Sequence, residues 1–244
     1  MTISMAMFHL LTTAPQWFVV SSQEGHEFSG HAVILPEGAA VEYEIGLIII
    51  CSERTAEAHE KSGNNILPKY CPERHINSDA SFCLGIDIPA LVTQDAATVW
   101  WGLLRQYLVL QYVADRTRSW PGGHFIAHGE AGPHHRRARA AAAELGILAE
   151  YDEAVLGAAH WVNDGSVRIS DDSARLVNGR SRCPVGCRDQ RKRPKLRVDC
   201  CQKHTVLELM LAERNRREFS KQFWERQRKN GATCCGTLRD CPLK

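Results

Sequence analysis

The most informative segment of the chain is residues 71–85, which read CPERHINSDASFCLG. It is rich in turn-forming residues and places His75 and Asn77 shortly before Cys83. A cysteine thiol can carry an acyl group as a thioester. A side-chain amide such as that of Asn77 can donate a hydrogen bond to the oxyanion that forms when an amine attacks a thioester. The residues of this segment are therefore suited to acyl transfer.

The region before this segment has the pattern of β-strands. Short runs of β-branched and aromatic residues, separated by turn signals, occur at residues 17–20, 31–35 and 41–51. They predict an antiparallel β-meander. Residues 52–81 are mostly polar and contain glycine and proline, so they predict a long irregular segment, which in a compact domain is usually functional or disordered.

The region after the segment has the pattern of helices. Apolar residues recur at helical spacing from Val99 to Val113, and Thr93 or Asp95 could cap the start of this helix, which we expect to end near Ser119. Further helices are predicted at about residues 134–148, 150–159 and 206–228. Strands followed by helices predict an α+β fold.

Charge and cysteine divide the chain into two different parts. Residues 1–160 carry 10 Lys and Arg against 18 Asp and Glu, whereas residues 161–244 carry 20 against 10. Seven of the ten cysteines lie between Cys183 and Cys241. We therefore predict an α+β domain at 1–160, a polar linker at 161–182, and a basic, cysteine-rich tail with one helix at 183–244.

The sequence has no sign of export or membrane insertion. Its longest apolar run, Ile45 to Cys51, is far shorter than the roughly 20 residues of a spanning helix. The N-terminus lacks the basic start of a secretory signal. We expect a cytoplasmic protein with no membrane partner, in which clustered cysteines are metal ligands or reactive thiols rather than disulfides.

The segment around Cys83 resembles the ubiquitin-conjugating enzymes. In that family a His-Pro-Asn motif, a short turn and an active-site Cys-Leu pair lie between a meander and helices; His75-Ile76-Asn77 and Cys83-Leu84 are similar. Prokaryotic members are more similar still, with Arg-His-Ile-Asn before Phe-Cys-Leu-Gly. They also have downstream pairs like Trp120-Pro121 and His128-Gly129. The resemblance covers about residues 28–160.

The resemblance implies a role for each residue of the motif. Cys83 would accept the C-terminal glycine of a ubiquitin-like protein from an activating enzyme. Asn77 would support the oxyanion or hold the loop, and His75 would be mainly structural. The chain departs from the family at Ile76, which replaces the usual proline, and in the six-residue step from Asn77 to Cys83, which is shorter than in eukaryotic members. Without the resemblance, a cysteine between Phe82 and Leu84 is typical of a small buried hydrophobic residue.

The tail has the cysteine pattern of a small zinc-binding knuckle. Two cysteine pairs flank a basic loop, and four thiolates around zinc supply folding free energy to a segment that cannot build its own core. The predicted zinc ligands are Cys183, Cys187, Cys200 and Cys201. The pattern also resembles the SEC-C type of zinc motif, from which it departs in the spacing of Cys187.

The other cysteines have open roles. Cys71 could be a resolving thiol for Cys83, or a zinc ligand with His75 or Cys51. The cysteines near the C-terminus could form a second metal site with His204, or be frayed terminal thiols, which we favour. These are Cys234, Cys235 and Cys241.

Three functions are consistent with these features. The first is an enzyme that carries a ubiquitin-like modifier on Cys83 and passes it to an amine of a protein target. The second is a catalytically inactive adaptor of the same fold that binds a modifier or partner protein. The third is a zinc-knuckle protein that binds nucleic acid through the basic tail, weakly and without sequence specificity because the tail lacks aromatic residues for stacking. The resemblance further implies an operon context of bacterial antiviral defence.

Overall fold

The computed structural model describes residues 3–85, 88–121, 127–157, 162, 167–170, 172, 175–176 and 201–244. The chain forms two compact units. Unit 1 comprises Met1–Pro121 and Thr233–Lys244, and unit 2 comprises Gly122–Ala232. These units are defined by packing, and the functional division at residues 160 and 182 stays a prediction.

Unit 1 is built on a four-stranded antiparallel sheet in the order β1-β2-β3-β4. The strands are β1 Phe18–Glu24, β2 Glu27–Ile34, β3 Tyr43–Cys51 and β4 Ala56–Glu60. Alternate residues of β3, from Ile45 to Cys51, are buried, as expected for a sheet with one face on the core. The predicted meander and α+β class are confirmed, and β4 lies in the segment predicted to be irregular.

Two helices of unit 1 share a core with the sheet. Helix α1 spans Met5–Thr12, which the sequence pattern did not predict, and α2 spans Gln94–Thr117. The Thr93 hydroxyl accepts the Ala96 N–H at 3.1 Å, so Thr93 is the N-cap of α2. The Trp101 indole N–H donates to the Leu10 carbonyl at 3.1 Å and joins the two helices.

Unit 2 is helical in its described residues. It contains α3 Ala131–Glu144, α4 Leu148–Val155 and α5 Lys203–Lys229, close to the three positions predicted from periodicity. Small residues on α3 allow α5 to pack closely, and a cluster around Ala138, Tyr151 and Leu209 forms the core. No helix in the described part of the chain is long and apolar enough to cross a membrane.

The C-terminal segment, residues 233–244, packs on the end of α2. Leu238 and Cys241 are buried against Ala114, with Trp120 and Leu243 beside them. Arg118, the residue that caps α2, receives the Arg239 N–H on its carbonyl at 2.8 Å. Residues near both ends of the sequence therefore belong to unit 1.

Candidate active site around Cys83

The loop that precedes Cys83 is folded back on itself and onto β4. Isolated bridges pair Cys71 with Ile76 and Ile76 with Phe82. The Phe82 N–H donates to the Ala58 carbonyl at 2.8 Å, which attaches the loop to β4. The sequence of this loop has no regular pattern. Its backbone is fixed by hydrogen bonds to residues that are distant along the chain.

Cys83 follows this fixed backbone and is half-buried. Its N–H donates to the His75 carbonyl at 2.9 Å, so the motif histidine and the cysteine are held together through the main chain. Cys51, by contrast, is only 3% exposed, and burial raises the pKa of its thiol to about 12. The two thiols therefore differ in access to a reaction partner, and Cys83 has the access that a carrier of acyl groups needs.

His75 occupies a structural position. Its φ of 55° lies in the left-handed region, which is unfavourable by about 1 kcal/mol or more for a residue other than glycine. Its side chain is buried, with the ring centroid 5.1 Å from that of Trp120. Its carbonyl accepts hydrogen bonds from the Cys83 N–H and the Tyr107 hydroxyl. These contacts favour the structural role over a proton-transfer role.

Asn77 is exposed and lies in the turn between His75 and Cys83. Its Nδ2 donates to the Ser81 hydroxyl at 2.9 Å, and its N–H donates to the Ser81 carbonyl at 2.9 Å. The Asp79 carboxylate accepts from the Ser81 hydroxyl and N–H, and these bonds lower the pKa of Asp79. In this arrangement one side-chain amide hydrogen of Asn77 stabilises the turn. The resemblance implied either this role for Asn77 or support of the oxyanion.

A buried polar network under the loop was missed by the sequence analysis. Arg74 has no exposed side-chain surface. Its Nε donates to Oε1 of Gln111 at 2.8 Å, while Nε2 of Gln111 donates back to the Arg74 carbonyl at 2.6 Å. The Tyr107 hydroxyl donates to the carbonyls of Arg74 and His75, both at 3.2 Å. The signal that could have revealed the network is a glutamine within the buried stripe of α2.

The departure at Ile76 has a structural explanation. The Ile76 N–H donates to the Cys71 carbonyl at 3.0 Å, and a proline has no N–H with which to make this bond. The Ile76 side chain is buried in the core of unit 1. Isoleucine therefore stabilises this form of the loop, and a proline at position 76 would lose the hydrogen bond.

The loop also contains Glu73, in the 3-10 turn Pro72–Arg74. Burial raises the pKa of its carboxyl to about 7. The group would therefore exchange protons near neutral pH.

The cysteines other than Cys51 and Cys83 have different positions. Cys71 is buried with its Sγ 2.9 Å from that of Cys235, and Cys241 is 5% exposed. The expectation of frayed terminal thiols is therefore wrong for Cys241. Of the predicted zinc ligands, Cys183, Cys187 and Cys200 lie outside the described residues, and Cys201 is exposed. Within the described ranges, no group of three or more Cys, His, Asp or Glu side chains is arranged for a metal ion.

The histidines of unit 2 pack against aromatic residues. His128 stacks on Phe223 with ring centroids 4.8 Å apart, and His134 stacks on Phe219 at 5.1 Å. Burial lowers the pKa of His128 and of His135 from 6.5 to about 4. His128 and His135 therefore behave as neutral packing groups at physiological pH.

Two family models match the chain. Residues 18–122 match the prokaryotic E2 domain, and residues 127–243 match the cysteine-rich domain that lies C-terminal to E2 domains. The chain therefore combines a prokaryotic E2 domain with the cysteine-rich domain that lies C-terminal to such domains. Neither the curated proteins nor the solved structures contain a significant match.

Proposed function

We propose that this protein carries a ubiquitin-like modifier as a thioester on Cys83 and transfers it to an amine of a protein target. The observation that supports this most is a half-buried cysteine whose N–H is bound by the motif histidine, in a loop fixed to β4. The match to the prokaryotic E2 domain supports conjugation as the general activity. The proposed partners are the modifier, its activating enzyme and the target.

The proposed reaction has two acyl transfers. In the first, Sγ of Cys83 attacks the thioester carbon that joins the modifier to the activating enzyme. The new S–C bond replaces the old one, and the proton of the Cys83 thiol goes to the departing thiolate. In the second, an amine attacks the thioester on Cys83, the N–C bond forms as the S–C bond breaks, and a proton of the amine returns to sulfur.

The loop has a preorganising role in this proposal. Acyl transfer is accelerated when the nucleophile is held in place before reaction. The His75 carbonyl fixes the backbone at Cys83, and the Asn77–Ser81 contact fixes the turn between them. The second amide hydrogen of Asn77 would be the donor for the oxyanion, which is the part of the role that rests on the resemblance.

The test is a thioester assay with the full chain, an activating enzyme and the modifier encoded beside it, and ATP. Wild type should form an adduct that thiol reductants cleave, and Cys83→Ala should form none. Cys83→Ser should give an ester that thiol reductants do not cleave. Cys51→Ala is the matched control and should behave as wild type, because Cys51 is buried in the sheet.

Failure of the wild type to form the adduct would favour the adaptor. Adduct formation by Cys83→Ala would also refute the assignment. The third hypothesis predicts salt-sensitive retention of duplex DNA on a filter. The absence of retention at low salt would exclude it.

The cofactor proposed for the cysteine-rich domain is a structural zinc ion. Its ligands would be Cys183, Cys187, Cys200 and Cys201, which supply the soft thiolate donors that zinc prefers. Its contribution would be to folding and not to acyl transfer. Zinc measured after purification should be lower in Cys200→Ser than in wild type, and equal zinc would contradict the assignment.

A further inference from the structure

Four cysteine thiols that are far apart in sequence lie together in unit 1. The Sγ atoms of Cys71 and Cys235 are 2.9 Å apart. The thiol of Cys241 interacts with those of Cys234 and Cys235, and the thiol of Cys71 interacts electrostatically with that of Cys241. We call Cys71, Cys234, Cys235 and Cys241 the thiol cluster.

Backbone N–H groups lie beside sulfurs of the thiol cluster. The Gly236 N–H donates to Sγ of Cys234 at 3.3 Å. The N–H groups of Thr237 and Leu243 act to lower the pKa of the Cys235 and Cys241 thiols. Each of these three groups lies two residues after its cysteine, and Gly236 has a φ of 76°, which permits the tight turn.

Burial raises the pKa of the Cys71 and Cys241 thiols, and the N–H donors oppose that rise. A hydrogen bond to an ionised sulfur is stronger than one to a neutral sulfur, and the second shell of a metal site orients its ligands through such bonds. The guanidinium of Arg74 interacts electrostatically with Cys235 and adds positive charge beside the cluster. A disulfide sulfur carries no charge and would gain much less from these donors.

An apolar layer covers the thiol cluster. Leu238, Leu243, Trp120 and Ala114 pack around Cys234 and Cys241. A shell of this kind limits the access of water and of competing ligands. A cross-link through sulfur would add to the packing that already holds segment 233–244 on α2.

We propose that the thiol cluster is a four-thiolate zinc site that fastens the C-terminal segment to the active-site loop. Tetrahedral zinc with Zn–S bonds of about 2.3 Å requires sulfurs about 3.8 Å apart. The Cys71 and Cys235 sulfurs must therefore separate by a little under 1 Å from their 2.9 Å spacing. Among the described residues no group of three or more such side chains is already arranged for a metal ion, so zinc binding would require the four sulfurs to rearrange.

The site would link the tail to catalysis. Cys71 exchanges backbone hydrogen bonds with Ile76 at 3.2 and 3.0 Å, and Ile76 lies between His75 and Asn77. Zinc at Cys71 would therefore fix the loop that positions Cys83. The metal site itself does not depend on the proposed acyl transfer, so each can fail without the other.

The experiment measures metal in the purified full chain by mass spectrometry of the elements. It compares wild type, Cys71→Ser, Cys235→Ser and the matched control Cys51→Ser, all in a Cys200→Ser background that removes the other proposed site. We expect about one zinc per chain in the background and in the control, and a loss of most of it in the other two. Unchanged zinc in Cys71→Ser, or iron in place of zinc, would overturn the proposal.

A variant could also lose zinc because it misfolds, so two further measurements test the thiol cluster without changing its cysteines. Cobalt substituted into the Cys200→Ser background should show the intense sulfur-to-metal absorption of a four-thiolate site, and its absence would count against the proposal. Alkylation without reductant, followed by peptide mapping, should find all four thiols modified after the metal is removed. A disulfide-linked peptide pair containing Cys71 and Cys235 would show a redox cross-link in place of a metal site and would overturn it.

Discussion

Gln111→Leu should destabilise unit 1 by removing the polar partners of a buried arginine. Arg74 has no exposed side-chain surface, and Gln111 both accepts from its guanidinium at 2.8 Å and donates to its carbonyl at 2.6 Å. The remaining anion, Asp115, is 3.8 Å from the guanidinium and 64% exposed, so it screens the charge only weakly. The guanidinium also keeps its bond to the main-chain carbonyl of residue 111 at 3.3 Å. Leaving a buried donor or acceptor without its partner costs about 1 to 3 kcal/mol, and the substitution does this at both the guanidinium and the Arg74 carbonyl, so we expect a loss of about 3 kcal/mol.

The assay is urea unfolding followed by circular dichroism. With a slope of about 2 kcal/mol per molar urea, a loss of 3 kcal/mol lowers the midpoint by about 1.5 M. Gln106→Leu, at an exposed position of the same helix, should shift it by much less. The double variant Arg74→Met with Gln111→Leu should be more stable than Gln111→Leu alone, because the buried charge is also removed. A loss below about 1 kcal/mol in Gln111→Leu would refute the reasoning.

Three further predictions concern the loop and unit 2. Ile76→Pro should lose about 3 kcal/mol in urea unfolding and lower thioester formation, since it removes a backbone hydrogen bond and core packing, whereas Ile76→Val should lose about 1 kcal/mol; equal effects would contradict this. Glu213→Gln should lose about 3 kcal/mol by the same measurement, because the 2% exposed carboxylate pairs with two arginines at 2.6 and 2.7 Å, and a wild-type midpoint would be inconsistent with it. His128 and His135 have a pKa lowered from 6.5 to about 4, so the stability they contribute is complete above pH 6.5 and lost as pH falls towards 4, by up to about 3 kcal/mol each. Replacing both with glutamine should reduce the loss of stability between pH 7 and 4.5, and an unchanged pH dependence would argue against it.

The sequence predicted the elements whose residues carry strong local patterns. The meander and α2 were found because alternating apolar residues and helical apolar spacing are visible within one element, and Thr93 is a recognisable cap. Strand β4 was missed because Ala56-Glu57-Ala58-His59-Glu60 has low β-propensity. Pairing with β3 stabilises it, and pairing partners are not visible in a local window.

The residues of the candidate site also divide into those that the sequence predicted and those that it missed. Cys83, His75 and Asn77 were singled out as a short motif, although their catalytic roles stay predictions. The network of Arg74 and Gln111 was missed because its two side chains are 37 residues apart and each is ordinarily an exposed residue. Arg74 and Gln111 stand out as a network only in the structure, where they are buried together.

Local sequence by itself determined the type of fold, because periodicity needs only neighbouring residues. It also indicated Cys83 as the proposed nucleophile, because a short motif can be compared with that of a known family. Tertiary structure alone decided the surroundings of Cys71, whose thiol meets that of Cys235 after 164 residues of intervening chain. Closing so long a loop is entropically unfavourable and requires the packing of segment 233–244 on α2 to offset it. No local sequence pattern in either segment predicts that contact, because the free energy that stabilises it comes from the assembled core of unit 1.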